Sequence, residues 1–209
     1  VNIYNSLTAS ALFLILLSPN VLFDIGFQLS YLAIFGIVLI QPTLNNIFEL
    51  TNPILKWSWS LFTVSVAAQL MTFPLGLFYF NQFPNLFWLS NFVVVPITTF
   101  IMWFGIAFFI FSPFHSLAMF VGMIIQKLTF VMLWALKVMD AQPIAVSKGI
   151  VLTTGQVWIL YGIISAILVY VFSKKKQWLF YGLFLIPILQ CSVLANNYKL
   201  LNQKLVFVY

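Results

Sequence analysis

The side chains of this chain that can do chemistry are few, and most of them interrupt apolar stretches. Asp24, Gln28 and Tyr31 recur at i, i+4 and i+7, which puts them on one face of a helix. Ser58, Ser65, Gln69 and Thr72 form a second stripe at i, i+7, i+11 and i+14. His115, Gly122, Gln126, Thr129, Lys137 and Asp140 form a third, within about 80° of one another at 100° per residue, while Lys127 points elsewhere. Such stripes do the chemistry of solvation: hydroxyls, amides and an occasional charge replace water around something polar, or bond one helix to another. They are not a catalytic constellation. One histidine, one cysteine and three acids cannot build a metal cluster of ordinary spacing, and no phosphate-binding loop, nucleophile elbow or His-rich hydrolase motif is present. The chain is therefore expected to be no enzyme, with no cofactor, no metal and no catalytic residue.

Each polar position has a second, plainer reading. Asp24 serves equally as an N-terminal cap for the helix that follows it. Serine and threonine often only bond a carbonyl one turn back. Gln69 is divided evenly between helix glue and pathway lining, because an amide at mid-depth needs several partners. The α-helical stretch carrying Lys127 either lies in the membrane interface or spans with one wet face.

The elements that must hold these residues are transmembrane helices. Hydrophobic residues make up 63% of the chain and charged residues 6%, with a mean hydropathy of +1.09, whereas soluble domains carry about 25% charged residues. Seven stretches approach the roughly 20 apolar residues that cross a bilayer: 4–18, 26–41, 58–80, 86–112, 115–139, 156–173 and 177–195. The expected fold is an all-α, polytopic transmembrane bundle of about seven spans, with broken or kinked helices. Ser18-Pro19-Asn20 and Asp24 with Gly26 break the first pair, and Pro74 and Pro96 kink the third and fourth. Residues 42–57 read as a polar connection holding a short interfacial helix, and Asn81–Asn85 as a tight turn that makes the third and fourth spans an antiparallel hairpin.

The net charge of +6 comes from nine lysines and no arginine. Lys174-Lys175-Lys176 is the one dense charge run, and the positive-inside rule assigns it to the cytoplasm. Threading from that anchor leaves Lys56 inside, and Asp24, Asn81–Asn85 and the C-terminus outside. Residues 1–195 form the expected transmembrane domain. Residues 196–209 read as a linker followed by the first strand of a further soluble domain, and the opening Val-Asn-Ile-Tyr reads as the middle of a longer protein.

Motif runs in a fixed order carry a family resemblance. Asp24-Ile25-Gly26-Phe27-Gln28-Leu29-Ser30-Tyr31-Leu32-Ala33 is similar to the D-x-G-F-Q-L-S-[FY]-x-A signature of the ComEC-type competence domain. Ala68-Gln69-Leu70-Met71-Thr72-Phe73-Pro74 and Phe80-Asn81-Gln82-Phe83 resemble its A-Q-x-x-T-x-P and F-x-x-F runs. Asn91-Phe92-Val93-Val94-Val95-Pro96 resembles its N-x-x-x-x-P run. The resemblance covers residues 10–100. It implies a multi-pass channel of the inner (plasma) membrane that passes single-stranded transforming DNA, with other competence proteins as partners, the lipid bilayer as solvent, and a homo-oligomer as one assembly. It also singles out Asp24, Gly26, Gln28, Ser30, Gln69, Thr72, Pro74, Asn91 and Pro96 as pathway or motif residues. The residues alone leave two other classes open, a small-solute transporter or channel and a non-transporting membrane assembly subunit.

Overall fold

The computed structural model describes residues 3–206. Its helices are α1 (Ile3–Leu17), α2 (Ile25–Asn45), α3 (Pro53–Phe80), α4 (Phe87–Ile110), α5 (His115–Asp140), α6 (Thr154–Ser173) and α7 (Lys176–Val206), and a 3-10 helix, Pro19–Phe23, joins α1 to α2. Two three-residue strands, β1 (Gln82–Pro84) and β2 (Val146–Lys148), make the one sheet among the described residues. Helices dominate because a lipid-embedded backbone must bond itself, and a helix does so within one segment. Six of the seven, α2 to α7, are long and apolar enough to cross a membrane. With its 15 residues, α1 reaches about 22 Å at 1.5 Å per residue, short of a hydrocarbon core of about 30 Å. The seven apolar stretches thus become six full-length helices and one short one.

The helices sort into two units. The first gathers the described residues up to Thr43, Ala67–Phe83 and those from Lys148 onward. Within it α2 meets α3 at Gly36, where an added Cβ would lie 2.5 Å from the Ala67 carbonyl oxygen. There too α6 and α7 pack as a hairpin turned by Lys174, which takes the left-handed conformation at φ 57°. Small residues line that contact: a Cβ on Gly182 would touch the Ala166 methyl at 3.4 Å, as close helix approach in lipid requires.

The second unit holds Leu44–Val66 and Pro84–Ser147. Its centre is the α4–α5 hairpin, turned by Phe111–Phe114, where the Phe114 N–H donates to the Phe111 carbonyl at 2.9 Å. Asn85 closes the open end. Its N–H donates to the Ala145 carbonyl at 2.8 Å, and its Nδ2 donates to the Ile144 carbonyl at 2.8 Å and to Ser147 Oγ at 2.9 Å.

Four sequence expectations change. Asn81–Asn85 is no tight turn: it runs into β1, whose antiparallel partner β2 is framed by the Gly149 N–H donating to the Asn81 carbonyl at 3.1 Å and by the Asn85–Ala145 bond. Nor do α3 and α4 form a simple hairpin. The pairs Phe62–Trp88 and Ser65–Asn91 advance together along both helices, the mark of a crossing. Residues 42–57 contain no separate helix, since α2 continues through Pro42 to Asn45 and α3 starts at Pro53. The fourth change lies at the C-terminus. Residues 196–206, read from sequence as linker and strand, continue α7; no proline or glycine follows Pro187 to end the helix. Phe207–Tyr209 lie outside the described residues.

Candidate functional site

The break between α1 and α2 is built by hydrogen bonds that replace those the helix loses. Pro19 opens the 3-10 helix after an extended Ser18, and Asp24, extended again at φ −73° and ψ 125°, starts α2. Its Oδ1 accepts the Gly26 N–H at 2.6 Å, so Asp24 is the cap of α2, satisfying a first-turn donor and placing a negative charge at the positive end of the helix. Gly26 leaves room for that carboxylate: a Cβ there would stand 3.1 Å from Oδ1.

Gln28 ties the break to its surroundings. Its Nε2 donates to the Leu22 carbonyl at 2.8 Å, a group that the irregular backbone leaves without a helical partner. Its Oε1 accepts the Tyr79 hydroxyl of α3 at 2.8 Å. One turn on, the Tyr31 hydroxyl and Ser10 Oγ lie 2.9 Å apart, linking α2 to α1. Ser30, between them, is exposed.

Beside Gln28 opens a cavity of about 310 Å³ walled by Leu75, Phe78, Tyr79, Val157, Trp158 and Tyr161, with Thr154 at its edge. Aromatic rings and an amide line it. Pro74, the neighbour of Leu75 in that wall, is fully buried. Proline has no N–H and crowds the turn before it, and the Tyr161 hydroxyl donates at 3.0 Å to the Met71 carbonyl in that disturbed turn. A neighbouring helix thereby supplies what the kink removes, as membrane prolines require. Thr72 bonds the Ala68 carbonyl at 3.0 Å, the plainer of its two readings. Gln69 is half-buried, and its side chain makes no hydrogen bond among the described residues.

In the second unit Asn91 Nδ2 donates to Ser65 Oγ at 3.0 Å, and Ser65 in turn donates to the Leu61 carbonyl at 2.8 Å. Ser65 is buried, so this chain works as glue between α3 and α4. Pro96 sits half-buried on α4.

A family model, described as Competence protein, matches residues 1–177 of the 209. The chain belongs to the Competence protein family. The match runs from α1 to the first residues of α7, so it contains the broken helix, the kinked α3 and the cavity together. No curated protein and no solved structure matches the chain. A competence-family protein with six helices fit to cross a membrane is a multi-pass membrane protein, in contact with lipid along its exposed aromatic and aliphatic faces.

One buried residue went unread in the sequence. Gln156, 1% exposed, accepts the Thr153 N–H at 2.9 Å and donates to Ser192 Oγ of α7 at 3.2 Å. Its signal was available: Thr153-Thr154-Gly155-Gln156 has the spacing of a capping box at the start of an apolar run.

Proposed function

We propose that this chain is the membrane core of a permease that carries single-stranded transforming DNA across the inner (plasma) membrane. The observation that carries the reading is the cavity beside Gln28. The most specific family motif folds into a helix break, and that break borders a chamber of rings and amide. A strand crossing about 30 Å of hydrocarbon needs donors for its phosphates and surfaces for its bases. Amides, hydroxyls and backbone N–H groups supply the first without the dense cation array that would trap a polyanion, and Phe78, Tyr79, Trp158 and Tyr161 supply the second. On this reading the chain catalyses nothing and works with other competence proteins or as a homo-oligomer.

Trp158 provides the test. Its side chain is 71% exposed and makes none of the hydrogen bonds that hold the break, so Trp158→Ala leaves the fold intact. In a deletion strain complemented with the full-length gene, Trp158→Ala is expected to lower transformation frequency per inserted protein, and Trp158→Phe to restore most of it. Wild-type uptake by Trp158→Ala would remove the cavity from the path. Wild-type uptake by the deletion itself would end the DNA reading.

A further inference from the structure

In the second unit the connection between α2 and α3 encloses a polar cavity of about 550 Å³ lined by Asn45, Asn46, Glu49, Thr51 and Lys56. Leu50 and Trp59 stand in its wall and also in that of an apolar groove of about 300 Å³, completed by Leu55, Phe62, Trp88 and Phe92. A polar chamber thus adjoins a greasy one at the end of two membrane-length helices, where tryptophans gather at the interface.

The polar chamber is divided by sign. Glu49 adds a carboxylate, and α2, ending at Asn45, adds the negative end of its dipole. Both favour a cation that donates hydrogen bonds. Lys56 lies in the first turn of α3, whose start is capped by Asn52 Oδ1 accepting the Ile54 N–H at 2.9 Å. An ammonium beside a helix N-terminus favours a phosphate. Glu49 and Lys56 form no ion pair with each other or with any other described residue, so both charges are available to a ligand.

We propose that this face binds one phospholipid with a zwitterionic ethanolamine headgroup. Its ammonium meets Glu49 at the C-terminal end of α2, its phosphate meets Lys56, and an acyl chain lies in the groove along Trp59, Phe62 and Trp88. Choline carries the same charge but has no N–H to donate to the Glu49 carboxylate, and glycerol headgroups carry no cation for it. The occupant is a membrane lipid and not a soluble phosphate ester, because the adjoining groove is walled by apolar side chains, with Ser58 as its one polar lining residue.

The full-length protein in detergent, titrated with phosphatidylethanolamine, phosphatidylcholine or phosphatidylglycerol bearing brominated chains, reports occupancy through tryptophan quenching. Phosphatidylethanolamine is expected to quench at the lowest concentration, and Trp59→Phe to reduce the quenching. Glu49→Gln should weaken phosphatidylethanolamine by up to about fivefold, the worth of one exposed ion pair, and leave phosphatidylglycerol unchanged; Lys56→Gln should weaken both. Both variants replace exposed side chains without partners, so abundance should stay level. Equal affinity for the three lipids, or unchanged phosphatidylethanolamine affinity in both variants, overturns the assignment. Displacement of the lipid by equimolar glycerophosphoethanolamine, which lacks the chains, would show a soluble headgroup site and overturn it as well.

Discussion

Gly36 holds α2 against α3 by having nothing to offer. A Cβ at this position would stand 2.5 Å from the Ala67 carbonyl oxygen and 2.7 Å from Met71 Cγ, so any side chain forces backbone apart. Alanine ordinarily gains about 0.5–1 kcal/mol over glycine inside a helix, but overpacking a tight contact costs about 1–3 kcal/mol, and the second effect wins. Gly36→Ala is therefore expected to lower the melting temperature of the purified protein, whereas Gly105→Ala, where a Cβ meets nothing within 4 Å, should raise it slightly. A second residue-scale expectation concerns Gln28. Both ends of its amide are engaged, with Leu22 and Tyr79, so Gln28→Ala should cost about 1–3 kcal/mol through orphaned partners and lower membrane abundance. Tyr79→Phe removes only one of those bonds and should cost about 1 kcal/mol. If Gln28→Ala left abundance unchanged while uptake fell, the amide would be handling the strand and not the break. At this scale the sequence showed its polar residues through spacing, and Asp24 makes the helix cap that was one of its two readings. Gln28's partners were not legible, because Tyr79 lies 51 residues away and no periodicity reports a contact that distant.

At the scale of elements, the Asn85 bonds decide what α5 is. They fasten the start of α4 to the residues just after α5, and groups that hydrogen-bond cannot lie on opposite faces of a bilayer. If α4 crosses, α5 must cross back, and its 26 residues suffice for the hydrocarbon thickness. The interfacial alternative, left open by Lys127 and the polar stripe, falls away with α4 as a span. Removing the fastening tests its worth. Asn85→Ala deletes two side-chain donations and should destabilise the connection by about 1–3 kcal/mol, seen as faster limited proteolysis between Ala141 and Gly149. Unchanged proteolysis would mean that the strands alone hold the segment. The sequence located α4 and α5 to within a few residues because apolar length marks a span, and it missed β1 and β2 because three-residue strands, Gln82–Pro84 and Val146–Lys148, lying so far apart in the chain have no pattern of their own. It misread the end of α7 for a related reason, since β-prone residues do not stop a helix that meets no breaker.

For the molecule as a whole, the same fastening constrains topology. Positive-inside placement puts Lys174–Lys176 in the cytoplasm; crossing α6 then puts Lys148 outside, and the pairing of β2 with β1 carries Gln82 to the same side. Crossing α4 brings Ser112, in the α4–α5 turn, back to the cytoplasm. The expectation can be read from single cysteines in a Cys191→Ser background, which is otherwise free of thiols. Gln82→Cys and Lys148→Cys should react with an impermeant maleimide in intact cells, whereas Ser112→Cys and Lys175→Cys should react only after the membrane is opened. The two halves of the test separate two ideas. Reversal of all four labels would overturn the lysine anchor and leave the fold untouched. Labelling of Gln82 and Lys148 from opposite sides would break the β1–β2 pairing itself, and with it the argument that α4 and α5 cross together.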